Sequence, residues 1–223
     1  MTDATPKFGV NRAKVSSTFA NGTEATFTPS DEKERTALLL VNGTIYAGFA
    51  SKDENRIRLV GPGRGWLVAF YPVTLAVSGT SFLTNKLSSS LDNDFLSSIW
   101  MSGSGIAADG DGTGAQAGYL YFATGNSDPC GCSYDKVNNI ANRVVKISPD
   151  LSTVVDIFTP SNESIMDKYD VDLGSGGVMK IPPQGANFPS LLVAGGKDGR
   201  LFLLNTDNLA AIRRAARTTF SAW

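Results

Sequence analysis

Short apolar segments that alternate with small or polar residues recur along this chain, and they predict antiparallel β-strands. The clearest example is LLVAGGKDGRLFLLNTDNL at residues 191–209, where two such segments flank Lys197-Asp198-Gly199. Alternation with a period of two residues, interrupted by Asp-Gly, is typical of a β-hairpin. This stretch therefore predicts two paired strands joined by a tight turn.

The same pattern occurs twice more in the sequence. GTIYAGFAS is followed by GWLVAFYPVTL within residues 43–75, and GYLYFATGN is followed by NRVVKISPDL within residues 118–151. Each first strand ends in small residues, and each second strand leads into a polar turn closed by a leucine: Leu75, Leu151 and Leu209. The loops inside the hairpins differ in length, which long surface insertions tolerate at little entropic cost. We therefore interpret the hairpin as a repeated unit.

Further strand candidates flank each hairpin. TSFLT follows the first, SIWMSGSGIAA and STVVDIFTP flank the second, and GVMKIP precedes the third. A sheet of four short strands cannot bury both faces alone, so such units must stack, and radial stacking gives a propeller. We predict an all-β fold: an antiparallel β-propeller of four-stranded blades, incomplete at about three to four blades.

This prediction divides the chain into three parts. Residues 1–30 form an N-terminal segment that contributes at most an edge strand, and residues 31–210 form the blades. Residues 211–223 lie outside the propeller, because AAIRRAARTTFSAW lacks the strand pattern and suggests a short basic helix or an unstructured tail. Open blade edges in an incomplete propeller would favour self-association.

The composition of the chain argues against some classes of function. The chain has 223 residues and a net charge of −1, so no electrostatic footprint for nucleic acid is expected. The longest apolar run, ALLLV, is too short to span a bilayer, and the first residues lack the apolar core of a signal peptide. We expect no membrane span, and the sequence leaves the localisation open.

The chain has no histidine, which excludes Ser-His-Asp and Cys-His nucleophilic catalysis and histidine-ligated zinc. Its two cysteines, Cys130 and Cys132 in DPCGCSYD, are too few for a four-ligand zinc site or a disulfide framework. A loop without a set role, a redox-active pair and half of a metal site remain the alternatives for them.

AADGDGTGAQAG contains the candidate metal ligands. Asp109 and Asp111 alternate, and Thr113 adds a third oxygen that suits a calcium ion. The twelfth position of the loop is Leu120, so the glutamate that completes an EF-hand is missing. An ordinary Gly/Asp turn between two strands is the competing interpretation.

Other motifs have simpler explanations. GSGIAA at residues 103–108 fits a dinucleotide-binding pattern, but DGDGTG follows it where a helix is required. GPGRG at residues 61–65 lacks the Lys-Ser/Thr of a phosphate-binding loop. Two members of the group Asp167, Asp170 and Asp172 could pair for glycoside hydrolysis, or all three could be solvated loop residues. Asn42 begins an Asn-X-Thr triplet, and Asn42-Gly43 also suits a tight hairpin turn.

The segments LYFATGN, GWLVAFYPVTL and LLVAGGKDGRLFLLNTDNL resemble blade hairpins of the pyrroloquinoline-quinone-binding-like, or quinoprotein-like, β-propeller repeat family. The run from SSIWMSGSGIAADGDG to DLGSGGVMKIP is similar to its uncharacterised bacterial members. The resemblance implies a non-catalytic scaffold or binding module. Its partner, a protein or a small molecule, would bind at a loop rim formed by residues 51–64 and 126–140.

The resemblance also implies two rival functions. One is a fragment of a PQQ-dependent oxidoreductase, similar to alcohol or sugar dehydrogenases, which would use PQQ and calcium. The other is an assembly scaffold at a membrane complex. Complete relatives are expected in a periplasmic or extracellular setting.

The family's chemistry stacks the quinone between a tryptophan and a disulfide of adjacent cysteines, beside a calcium ion and an aspartate base. Here a glycine separates Cys130 from Cys132, and no acidic residue matches a catalytic motif. We expect Trp66 and Trp100 to pack between blades. We therefore assign no catalytic or cofactor-binding residues, predict no cofactor and favour a protein that is not an enzyme. If it is one, the resemblance implies a quinone-dependent dehydrogenase.

Overall fold

A computed structural model describes residues 15–29, 31–51, 64–87, 97–110, 118–127, 135, 137–183 and 190–217. These residues form antiparallel sheets joined by turns, with a single short α-helix among them. None of the helical segments in these ranges has the length and apolar character needed to cross a bilayer.

The described chain begins with a small hairpin of β1 (Ser16–Thr18) and β2 (Glu24–Thr26). Its turn is held by Asn21, whose side-chain oxygen accepts a hydrogen bond from the backbone N–H of Thr23 at 3.0 Å. Ala25 is buried, and the ring of Phe27 meets the ring of Trp66 edge to face at 5.7 Å. The hairpin therefore covers one face of the next sheet.

The first large sheet has five strands. They are β3 (Glu32–Glu34), β4 (Leu39–Val41), β5 (Thr44–Ser51), β6 (Trp66–Phe70) and β7 (Phe82–Leu83). β3 and β4 both pair with β5, which pairs in turn with β6, and β6 pairs with β7. β6 is buried on both sides: Trp66 and Val68 pack towards the N-terminal hairpin, whereas Leu67 and Ala69 join the main core.

The second sheet has four strands in spatial order β11-β10-β9-β8. They are β8 (Ala107–Ala108), β9 (Leu120–Ala123), β10 (Val144–Ile147) and β11 (Val154–Phe158). All residues of β9 and β10 are buried, so neighbouring elements cover both faces of these strands. The helix α1 (Glu163–Lys168) and a 3-10 turn at Leu173–Ser175 lead on to the third sheet.

The third sheet has the order β12-β13-β14-β15. Its strands are β12 (Gly177–Ile181), β13 (Leu191–Gly195), β14 (Arg200–Asn205) and β15 (Asn208–Arg217). One face carries Leu192, Phe202 and Leu204 into the main core, while Met179 and Leu201 on the other face are exposed.

The three large sheets pack against one another through a shared apolar core. The rings of Phe82 and Phe122 join the first sheet to the second at 6.0 Å, and those of Phe158 and Phe202 join the second to the third at 4.9 Å. The hydroxyl of Tyr46 also donates a hydrogen bond to the carbonyl oxygen of Pro149 at 2.8 Å. Successive sheets are therefore neighbours in space.

The predicted hairpins are confirmed, because β5 pairs with β6, β9 with β10 and β13 with β14 in antiparallel register. The flanking segments supply β7, β8, β11 and β12, as their alternation predicts. The 103–108 motif ends in β8, and residues 109–110 directly after it form a bend, so the helix that a dinucleotide site requires does not begin there. The fold class is confirmed at the level of antiparallel, mainly four-stranded sheets.

The expected helix or unstructured tail from residue 211 is wrong for residues 211–217. They continue β15, which pairs with β14 along its length. Arginine and alanine favour helices in isolation, but β14 presents an edge of unpaired backbone groups that a following strand satisfies through a short turn. Tertiary pairing has therefore overridden local propensity.

Candidate functional site

A narrow polar cleft lies where the three large sheets meet. Each sheet contributes a residue at or just after the end of the first strand of its hairpin: Ser51 ends β5, Asn126 follows β9 and Lys197 follows β13. Trp100, Asp170 and Asp172 complete one wall, and Lys33 and Arg35 lie on the other. The ends of the first strands of the three hairpins therefore converge on one site.

Asp172 and Lys197 form the most buried ion pair of the cleft. Their side chains approach to 2.6 Å, with Asp172 only 5% exposed and Lys197 37% exposed. The backbone N–H of Asn126 donates a second hydrogen bond to Asp172 at 2.7 Å. Burial lowers the pKa of Lys197, but its hydrogen bond and charge interaction with Asp172, and those with Asp170, outweigh burial and raise it above its usual value. Lys197 is therefore charged at neutral pH.

Asp170 extends this network towards solvent. Its carboxylate lies 3.2 Å from the Lys197 ammonium group and accepts a hydrogen bond from the Asn126 side chain at 3.1 Å. Lys197 also donates to the backbone oxygen of Asp170 at 3.0 Å. The loop after α1 is thus tied to both the second and the third sheets.

Gly125 allows this wall to pack closely. A Cβ atom at this position would lie 2.8 Å from an Asp172 carboxylate oxygen and 3.0 Å from the indole nitrogen of Trp100. Lys197 lies 5.6 Å from the centre of the Trp100 ring, a cation–π distance. Any side chain at residue 125 would therefore displace the polar wall.

The opposite wall is formed by the first sheet. Lys33 lies in β3 and Arg35 directly follows it, and the next part of the wall is Ser51. The backbone N–H of Ser51 donates to the hydroxyl of Ser98 at 3.1 Å, which joins β5 to the segment that carries Trp100. This wall contributes basic groups and hydroxyls.

Of the three predicted metal ligands, Asp109 alone lies among the described residues. Asp109 contacts Lys180 at 2.6 Å and accepts hydrogen bonds from Tyr121 and the backbone of Tyr119, while Asp111 and Thr113 lie outside the described residues. Burial raises the pKa of the Asp109 carboxyl, but these partners, led by Lys180, hold it below its usual value. Within the described ranges, no three acidic or cysteine side chains are grouped to hold a metal ion.

The other predicted features have mixed outcomes. Cys130 and Cys132 lie outside the described residues, as does most of the expected loop rim within 51–64 and 126–140. The expectation that both tryptophans pack between blades is wrong for Trp66, which is buried between the first sheet and the N-terminal hairpin; Trp100 lines the cleft.

The three aspartates considered as paired catalytic carboxylates separate into two environments. Asp170 and Asp172 share Lys197, but Asp167 accepts a hydrogen bond from the side chain of Asn142 at 2.7 Å. Lys33, Arg35, Asn126 and Lys197 carry no local motif. For Asn126 and Lys197 the sequence signal is their position just after the first strand of a repeated hairpin, whereas Lys33 and Arg35 lie outside the repeat.

No family model matches this chain, and no curated protein matches it. Solved structures of Synechocystis apocarotenoid oxygenase (ACO) do match. A cobalt-substituted form is 12% identical with a TM-score of 0.42, and the alignment covers 89% of this chain and 39% of that chain. A single-residue mutant is 13% identical with a TM-score of 0.41, covering 83% of this chain and 36% of that one. The chain thus spans less than two fifths of their length.

These findings overturn the predicted membership of the quinoprotein-like family. No family model matches, and the matching solved structures are apocarotenoid oxygenases. Two predicted functions depended on this resemblance: a quinoprotein-type scaffold and a fragment of a PQQ-dependent oxidoreductase. Both predictions are therefore wrong as well. The resemblance rested on alternating strands, glycine turns and closing leucines, which any stack of antiparallel hairpins requires. Such a pattern describes strand geometry and does not identify a family.

Proposed function

We propose that this protein binds a small polar molecule in the cleft between Lys33, Arg35, Trp100, Asp172 and Lys197. The observation that carries the proposal is that separate sheets each place polar side chains in one narrow space. The cleft has a volume of about 60 Å³, well below the roughly 300–1,000 Å³ of sites that enclose a whole drug-sized molecule. Its occupant is therefore small, or inserts only one polar group.

The ion pair between the buried Asp172 and the exposed Lys197 supports a binding role for this cleft. Removing the Asp172 carboxylate from water is costly unless partners compensate it. Asp172 and Lys197 nevertheless meet at 2.6 Å beside an aromatic ring, where their orientation is set by Asn126 and Trp100. Convergent polar groups around an aromatic side chain are typical of sites for small ligands.

The proposal includes an architecture for the site. We interpret the three large sheets as successive propeller-like blades, with the cleft at the end of the stack where their corresponding strand ends meet. The consecutive packing of the sheets supports this interpretation. In such an arrangement a rigid scaffold holds the loop residues of the site in place.

The test is a titration of the purified chain with glycerol, glucose, glycine, acetate and inorganic phosphate. Tryptophan fluorescence and the melting temperature are measured together, because Trp100 lines the cleft. At least one solute should change both, with saturation. Lys197→Gln should weaken that binding at least about tenfold, because it removes the cation that positions Asp172 and Asp170.

Lys86→Gln is the matched control. It removes one lysine charge from a different surface, beside Ser16 and Thr18, and should leave binding unchanged. Failure of every solute to bind, or equal binding by Lys197→Gln and the unmodified chain, would contradict the proposal. The melting temperature without solute shows whether Lys197→Gln remains folded.

A further inference from the structure

The strand register identifies equivalent positions in the three large sheets. Leu67, Val144 and Leu201 occupy the same position in the second strand of the three hairpins, since each pairs with a small residue of the first strand. Side chains alternate between the two faces of a sheet, so the residue two positions further along each strand lies on the same face. We call the face that carries Leu67, Val144 or Leu201 the forward face of its sheet.

The forward face of the first sheet packs against the second sheet. Leu67 and Ala69 are buried in the main core. Tyr46 pairs with Ala69, and its hydroxyl donates a hydrogen bond at 2.8 Å to the carbonyl oxygen of Pro149, which lies between β10 and β11. The opposite face of the first sheet carries Trp66 and is covered by the N-terminal hairpin. The forward face is therefore the one that meets the next sheet.

The forward face of the second sheet packs against the third sheet. Val144 is buried, and Lys146, two positions further along the strand, donates a hydrogen bond to the backbone oxygen of Thr206 at 2.7 Å. Tyr121 pairs with Lys146, and the ammonium group of Lys180 in β12 lies 5.1 Å from the centre of the Tyr121 ring. Each of the first two sheets therefore presents its forward face to the sheet that follows it in the chain.

The forward face of the third sheet meets no further sheet in the described part of the chain. Leu201 is 46% exposed, and Met179, which lies on the same face, is 61% exposed. Val193 pairs with both Met179 and Leu203, and Val193 and Leu203 are only half-buried. A groove with a volume of about 380 Å³ lies over Met179, Val193 and Leu201. The positions that form an interface in the first two sheets are thus open in the third.

The side chains of this face are those of an interior. An antiparallel sheet that faces water normally carries polar residues on its outer face. The outward side chains of β12, β13 and β14 are instead apolar, and in these three strands only Asn205, the last residue of β14, is a polar exception. The basic residues Lys180 and Arg200 alternate with them and lie on the opposite face. A contiguous exposed apolar surface of this kind marks an interaction site.

We infer that the forward face of the third sheet packs against the same face of a second copy of this chain. A two-fold axis brings one apolar face against itself, so no charged side chain of β12, β13 or β14 is removed from water. The contact is a sheet-on-sheet packing, with the two sheets about 10 Å apart, of the kind that this chain already makes twice. It uses sheet faces and not open strand edges. None of the described residues that line the cleft belongs to it.

Analytical ultracentrifugation of the purified chain from about 1 μM to about 1 mM tests this inference. The mass should rise from that of one chain to that of two as the concentration increases. Added salt should not dissociate the dimer, because screening weakens contacts between charges and this contact is apolar.

Leu201→Lys and Met179→Lys should each raise the dissociation constant at least about tenfold, because each places a charge in the contact. Both residues are exposed, so the melting temperature of each dilute variant should match that of the unmodified chain. Val73→Lys is the matched control. It places a lysine at an exposed apolar residue of the turn after β6 and should leave the dissociation constant unchanged.

A dimer that both lysine variants weaken, and that Val73→Lys leaves intact, supports the inference. A chain that remains monomeric up to the highest concentration overturns it. A dimer that neither Leu201→Lys nor Met179→Lys weakens also overturns it, because association then uses another surface. A mass that grows beyond two chains overturns it as well, since face-to-face packing about a two-fold axis closes after two copies.

Discussion

Glu32 precedes the cleft residue Lys33 in β3, and strand alternation places its side chain on the other face of the strand. One carboxyl oxygen accepts a hydrogen bond from the backbone N–H of Arg64 at 3.0 Å. Burial raises the pKa of the Glu32 carboxyl from 4.5 to about 9, although the hydrogen bond from Arg64 opposes this rise. Glu32 is therefore protonated and uncharged at neutral pH. The next residue of the same strand, Lys33, is a basic residue of the cleft.

The raised pKa predicts a stability that depends on pH. The folded chain binds the Glu32 proton more tightly than the unfolded chain, so this contribution is complete below about pH 4.5 and is lost as the pH rises towards about 9. The free energy of unfolding should fall with rising pH by at most about 1.4 kcal/mol per pH unit from this group. Glu32→Gln should remove that slope, because glutamine keeps an acceptor for Arg64 without titrating.

Urea unfolding at several pH values between about 5 and 8 measures this slope. Glu34→Gln is the control, since it makes the same change at an exposed position of the same strand. A slope that is identical in Glu32→Gln and the unmodified chain would show that Glu32 does not carry it.

The β4–β5 hairpin shows how local sequence determines an element. Asn42 and Gly43 are its two loop residues, with φ of 48° and 67°. Two consecutive residues of positive φ define the turn whose twist matches a right-handed strand pair, and asparagine and glycine adopt that conformation most readily. The prediction of a tight turn at Asn42-Gly43 is therefore confirmed, for the physical reason on which it was based.

Gly43→Ala should destabilise the protein by about 1–2 kcal/mol, because a Cβ atom is strained in the left-handed region. A Cβ at residue 43 would meet nothing within 4 Å, so the effect isolates backbone strain from steric clash. Asn42→Gly is the comparison, since glycine accepts the same φ, and it should cost much less. Urea unfolding checks both, and equal stability of Gly43→Ala and the unmodified chain would contradict the turn geometry.

At the scale of the whole molecule, polar side chains join the second sheet to the third. Lys180 of β12 contacts Asp109, which follows β8, and donates to the hydroxyls of Ser190 at 2.9 Å and Thr206 at 3.0 Å. The hydroxyl of Tyr121 in β9 donates to the same carboxylate. The sequence pattern suggested a metal ligand at Asp109, but its charge is satisfied by a lysine 71 positions away.

This connection predicts energetic coupling between the two sheets. Asp109→Asn and Lys180→Gln should each destabilise the protein, and the double variant should lose about 1–2 kcal/mol less than the sum of the two. Denaturant unfolding of the four proteins measures the difference. Additive losses would show that the contact does not stabilise the packing of the sheets.

Much of the fold could be predicted because hairpins depend on neighbouring residues. Alternation and the turns at Asn42-Gly43 and Asp198-Gly199 locate β4, β5, β13 and β14 within a few residues. The last strand could not be predicted this way, because residues 208–217 are in β15 through pairing with β14 and not through their own propensity. Local sequence patterns do not predict a strand that forms mainly because it pairs with the free backbone N–H and C=O groups of an existing edge strand.

The sequence by itself determined the antiparallel hairpins, their repetition and the absence of histidine chemistry, since these follow from composition and short-range geometry. Only the tertiary structure decided which strand ends meet. It brought Arg35, Trp100, Asn126, Asp172 and Lys197 into one cleft and paired Asp109 with Lys180. Side chains that are distant in sequence become a site only through sheet packing, and no local pattern encodes those contacts.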